Sequence, residues 1–195
     1  KGLRFEETEE QPMETKQSAS LYPLAMTAVM AALMAVVAPF SISIGPIPLS
    51  FCTLVIYLAG YLLGWKRAAA ATLAYILLGA VGMPVFSGFS AGLGVVAGPT
   101  GGYIVGYLPL AALSGLAARL KNRPLQLVGM VGATAVLYAF GTAWYCVQSG
   151  SPLAPALAAC VIPFLPGDLI KMLAVLSVGP VLRDRLARAG IDPEG

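Results

Sequence analysis

From Gln17 to Leu182 only seven side chains carry charge: Lys66, Arg67, Arg119, Lys121, Arg123, Asp168 and Lys171. That scarcity limits the folds open to the chain. A soluble domain carries about 25% charged residues, whereas this chain carries 11% and could not cover a water-facing surface with them. A spanning helix needs about 20 apolar residues. The stretch therefore accommodates about six spans, read as 21–40, 49–65, 68–84, 101–118, 124–147 and 157–182. The second and third are short and joined by a tight turn at Trp65-Lys66-Arg67. The segments are continuously apolar rather than alternating, which favours helices over a barrel. The expected fold class is an all-α integral membrane protein of six transmembrane helices.

The few charges also orient the chain. Basic clusters follow every second span: Lys66/Arg67, then Arg119/Lys121/Arg123, then Arg183/Arg185/Arg188. The intervening loops, about 41–48, 85–100 and 148–156, carry no charge. Short loops rich in Lys and Arg stay in the cytoplasm, so both termini are expected there and the neutral loops face outward. Residues 1–16 read as a polar tail, with Met13 a candidate native start. Residues 17–185 form the membrane domain and 186–195 a cytoplasmic tail.

Composition excludes several chemistries. There is no histidine, which removes most general-base and zinc chemistry. Cys52, Cys146 and Cys160 lack the spacing of a metal or disulfide framework and read as small buried hydrophobes. No metal, cofactor or nucleic acid is expected, and no P-loop pattern is present.

The segment from Gly82 to Gly102 holds seven glycines and two prolines, so it cannot be a regular spanning helix. Being apolar and uncharged, it reads as a loop folded in to wall a cavity. Gly88-Phe-Ser90-Ala-Gly92 matches the nucleophile elbow, but no histidine can serve as base. A hydrolase would need a Ser90–Lys171 dyad. Gly92-Leu-Gly94-Val-Val-Ala97 lacks the strand–turn–helix setting and downstream acid of a dinucleotide site. Gly60/Gly64 and Gly102/Gly106 form small-residue faces for close helix packing. Ala28/Ala32 form another, suited to internal packing or to a partner helix.

Pro166-Gly-Asp-Leu-Ile-Lys171 is the most informative motif. Its i, i+3 spacing puts Asp168 and Lys171 on one helix face, with the acid in the first turn, where the helix dipole favours it. Intramembrane ionisable residues mark functional sites. A site with one acceptor and one donor suits a small ligand bearing both kinds of group.

These motifs, taken in order, resemble the BioY family, the biotin-specific S components of energy-coupling-factor (ECF) vitamin transporters. The resemblance rests on Gly45-Pro-Ile-Pro-Leu-Ser50, Leu58-Ala-Gly-Tyr-Leu-Leu-Gly64, Leu77-Leu-Gly-Ala-Val-Gly-Met-Pro-Val-Phe86, Gly88-Phe-Ser-Ala-Gly92, Gly98-Pro-Thr-Gly-Gly-Tyr103 and Pro166-Gly-Asp-Leu-Ile-Lys171. One departure is visible: in Pro48-Leu-Ser-Phe-Cys52-Thr53 a cysteine, a weak hydrogen-bonder, stands where glutamine is expected.

The resemblance implies a six-helix S-component fold in the cytoplasmic membrane of a prokaryote, with a vitamin pocket near the outer face. It implies no catalytic residues. Biotin would be captured, with Asp168 accepting from its ureido N–H groups. Lys171 would donate to the ureido oxygen, pair with Asp168, or take the carboxylate. Phe86, Phe89 and Tyr103 would pack on the fused rings and Ser90 and Thr100 would add hydrogen bonds, with Pro48 and Gly88 in the same substrate-binding set. The Ala28/Ala32 face would couple to a transmembrane subunit and a cytoplasmic ATPase pair. Thiamine or riboflavin S components are the alternative within the class.

Overall fold

The computed structural model describes the backbone of residues 13–43 and 47–189, and side chains at 22–42 and 47–189. The acidic residues 1–12, Gly45 and Pro46 of the proline motif, and residues 190–195 lie outside that description. Helix dominates. In order come α1 (Met13–Val37), a hairpin of β1 (Ser41–Ser43) and β2 (Pro48–Ser50), and α2 (Cys52–Ala80). A 3-10 turn at Ser87–Phe89 precedes α3 (Leu93–Ala97), α4 (Gly101–Ala117), α5 (Arg123–Ser149), α6 (Leu153–Cys160) and α7 (Leu165–Arg188).

Two of these helices, α5 and α7, are long and apolar enough to cross a membrane. Large apolar side chains crowd the outer surface; Val128 and Ile170 are both 67% exposed. Hydrocarbon, unlike water, tolerates such a surface.

The expected second and third spans are the two arms of α2. The break is at Gly64, whose φ of 72° and ψ of 176° are non-helical, one residue before the expected turn. Only glycine takes this conformation freely. The break is packed tightly: a Cβ on Gly115 of α4 would meet the Trp65 backbone at 2.6 Å, and one on Gly64 would meet Arg119 Nη2 at the same distance. Gly60 faces Ser114 and Gly115 with no room for a side chain. The expected close-packing faces at Gly60/Gly64 and Gly102/Gly106 are therefore internal. Gly102 abuts Trp144 and Gly106 abuts Leu137 of α5.

Two expectations are corrected. The sixth span, read as 157–182, is two helices, with α6 ending at Cys160 and α7 starting at Leu165. Pro163 falls within the junction, where it disfavours the helical region for the preceding Ile162, and Pro166 sits in the first turn of α7, where proline costs no hydrogen bond. The neutral loop near 41–48 contains the antiparallel β1–β2 pair, with Ser41 opposite Ser50 and Ile42 opposite Leu49, so the chain is not purely helical.

The glycine-rich segment is folded in. Gly88 N–H donates to Pro39 O at 3.0 Å and Gly92 N–H to Gly79 O at 2.8 Å. Trp144 Nε1 donates to Gly98 O and Gln148 Nε2 to Ala97 O. Positive φ at Gly82, Gly88, Phe89 and Gly92 makes its sharp turns. The segment is thus tied to the ends of α1 and α2 and to the C-terminal part of α5.

Candidate functional site

Pro166 and Gly167 open α7, which places Asp168 in its first turn. Lys171 lies one turn on, and its Nζ is 2.9 Å from Asp168 Oδ1. Both are buried, at 4% and 7% exposure. A buried ion pair is tolerable only when its remaining hydrogen-bonding capacity is met, and here it is. Lys171 Nζ also donates to Ser50 O at 2.8 Å and to Thr53 Oγ1 at 2.9 Å, which uses all three ammonium protons. Thr53 Oγ1 donates to Asp168 Oδ1 at 3.3 Å, and the Tyr138 hydroxyl donates to Oδ2 at 2.5 Å. The Phe51 ring centroid lies 5.9 Å from Lys171 Nζ. Four elements thus meet at one ion pair: β2, the start of α2, α5 and α7.

The pair lines a small cavity of about 40 Å³. Its walls include Pro48, Tyr103, Tyr107, Leu137, Tyr138 and Phe164. A second cavity, of about 70 Å³, adjoins it and shares Ile47, Pro48, Tyr103 and Tyr107. Phe86, Ser87, Ser90 and Thr100 line the far side of this second cavity. The residues shared by the two come from the β hairpin and from α4. Tyr103 is held in place by its hydroxyl, which donates to Cys160 O and shares a second hydrogen bond with Thr142 Oγ1.

The expected site residues divide between these spaces. Asp168 and Lys171 line the first cavity, Phe86, Ser90 and Thr100 the second, and Pro48 and Tyr103 both. Gly88 and Phe89 line neither. Phe89 is 60% exposed and stacks edge-on against Phe40 at 5.7 Å. Cys52 is fully buried and also lines neither cavity.

Residue reading missed Thr53, Tyr138 and the Ser50 carbonyl, which complete the ion pair. The signal available for Tyr138 was a polar tip in the middle of an apolar helix.

Ser90 and Lys171 do not form a dyad. Ser90 Oγ donates to Ser87 O at 2.8 Å, Lys171 is fully engaged, and the two line different cavities. Asp168 retains acceptor capacity beyond the three bonds it receives, since a carboxylate offers about four lone-pair sites. The arrangement can therefore accept N–H donors from a neutral polar ligand between aromatic walls.

The BioY family model matches residues 10–188. The probable biotin transporter BioY of Pyrococcus horikoshii is 39% identical over 76% of this chain and 88% of its own length. The biotin transporter BioY of Rhizobium etli is 34% identical over 80% of this chain and 90% of its own. The crystal structure of an S-component for biotin from an ECF-type ABC transporter superposes with a TM-score of 0.77. Identity there is 26%, and the match covers 88% of this chain and 95% of that one. With the family model matched over residues 10–188 and relatives of this identity aligned over most of their own length, the chain belongs to the BioY family.

Proposed function

We propose that this protein captures biotin at the outer face of a cytoplasmic membrane and delivers it inward as the substrate-binding subunit of an ECF-type ATP-driven transporter. The observation that carries the reading is the buried Asp168–Lys171 pair, lining a cavity with tyrosine and phenylalanine walls in a chain of the BioY family. Biotin's ureido N–H groups match the spare acceptor capacity of Asp168, and its fused rings match the aromatic walls. Lys171 would shift one of its three bonds to the ureido oxygen.

The same reading takes the two arms of α2 as separate spans. With α1, α4, α5 and α7 they make six, within residues 17–185. The basic clusters then lie on the cytoplasmic side with both termini. ATP hydrolysis would fall to a partner ATPase pair through a transmembrane coupling subunit.

Titration of labelled biotin onto the detergent-solubilised chain tests the ligand. Sub-micromolar binding that excess thiamine or riboflavin does not displace is the expected result. Failure to bind biotin at that level, or displacement by another vitamin, would overturn it.

A further inference from the structure

A third space lies on the opposite side of the ion pair. It is a cleft of about 250 Å³ between α5 and α7. Val131 and Ala135 of α5 and Leu165 and Leu169 of α7 line it. All four are exposed, Leu165 by 51% and Val131 by 47%. Its floor includes Asp168 and Tyr138, so the hydrogen bond between them forms the partition from the ion-pair cavity. α7 packs chiefly on α2, and its contact with α5 is sparse.

The two helices that bound this cleft are both long and apolar enough to cross a membrane. Hydrocarbon is therefore the solvent at its mouth. The cleft opens on the molecular surface, and its apolar lining gives water too few partners to settle there. Val131 and Tyr138 are seven residues apart, about 10 Å along the helix, long enough to hold an extended alkyl segment.

The geometry points to a phospholipid acyl chain seated lengthwise between α5 and α7, closing the lipid-facing side of the Asp168–Tyr138 contact. This occupant keeps water off a buried ion pair, where the low local dielectric strengthens each hydrogen bond. The inference rests on the membrane reading alone and does not depend on which vitamin the cavity holds.

Native mass spectrometry of the full chain, loaded with palmitoyl-oleoyl-phosphatidylglycerol and stripped of loosely held lipid, tests it. Ala135→Phe fills the cleft from an exposed position, and Ala143→Phe makes the same change on an exposed part of α5 that does not line the cleft. The wild type and Ala143→Phe should retain one phospholipid under conditions that remove the rest, and Ala135→Phe at least fivefold less. Val131→Phe fills the same cleft and decides the matter if Ala135→Phe does not fold. Equal retention in the wild type and the cleft-filling variants, or retention of detergent or free fatty acid in place of phospholipid, would overturn the proposal.

Discussion

Asp168 holds its charge where charge is expensive, and three neighbours make that possible. The Tyr138 hydroxyl at 2.5 Å is the shortest of its bonds. Hydrogen bonds to ionised groups contribute about 1.5–3 kcal/mol, and about 1.4 kcal/mol is tenfold in affinity. Tyr138→Phe keeps the ring but removes the donor and leaves a buried carboxylate oxygen less satisfied, so the unfolding temperature should fall and biotin affinity should fall with it as Asp168 loses its fixed orientation. Asp168→Asn goes further and leaves the Lys171 ammonium buried without its counter-charge, which costs about 3–5 kcal/mol in stability. Isothermal titration and thermal unfolding of both variants would separate the two effects. Unchanged affinity in both would remove the ion pair from the site. Asp168 and Lys171 were legible in the sequence because they are the isolated charges after Arg123 in an apolar stretch. Thr53 and Tyr138 were not. They reach the pair from 115 and 30 residues away, and no local spacing distinguishes Tyr138 from the other mid-span tyrosines. Phe89 misled for a related reason: its motif is genuine, but a positive φ of 58° turns the backbone in a way that aromatic composition does not reveal.

Between elements, glycine sets the separation. A Cβ on Gly141 of α5 would strike the Tyr103 ring of α4 at 2.5–2.6 Å, whereas one on Gly132 would meet nothing within 4 Å. The Tyr103 ring cannot easily yield, because its hydroxyl is tied to Thr142 and Cys160. Overpacking of this kind costs about 1–3 kcal/mol. Gly141→Ala should therefore unfold at a lower temperature and, since Tyr103 walls both cavities, also bind biotin more weakly. Gly132→Ala should be neutral or stabilising, because alanine is the better helix former by up to about 1 kcal/mol. Equal unfolding temperatures would show that α4 and α5 can slide apart freely. Which elements exist was readable from runs of apolar residues and from the glycine-rich interruption. Where one helix yields to the next was less so. The α6–α7 junction sits in a segment as apolar as its neighbours, and the β hairpin is too short for alternation to register.

For the molecule as a whole, the surface of α1 is the remaining question. Ala28 and Ala32 are both exposed and lie one turn apart, while Met30, Ala31 and Met34 point into the core. The alanine face is thus free for close approach by another helix, which the sequence alone left open against internal packing. Small residues let two helix backbones approach closely in a membrane, where packing rather than hydrophobicity drives association. Neither alanine lines either cavity of the ligand site. If the face serves a coupling subunit, Ala28→Trp with Ala32→Trp should leave biotin binding to the isolated chain within twofold of wild type. The same change should abolish biotin uptake by cells and co-purification with the coupling subunit. Loss of binding would instead place α1 in the structure of the site, and normal uptake would move the coupling surface elsewhere. The division is physically reasonable because the ion pair is assembled from β2, α2, α5 and α7, while α1 contributes chiefly through its packing on α2. Capture and delivery would then be separable functions, carried by different faces of one small helical body.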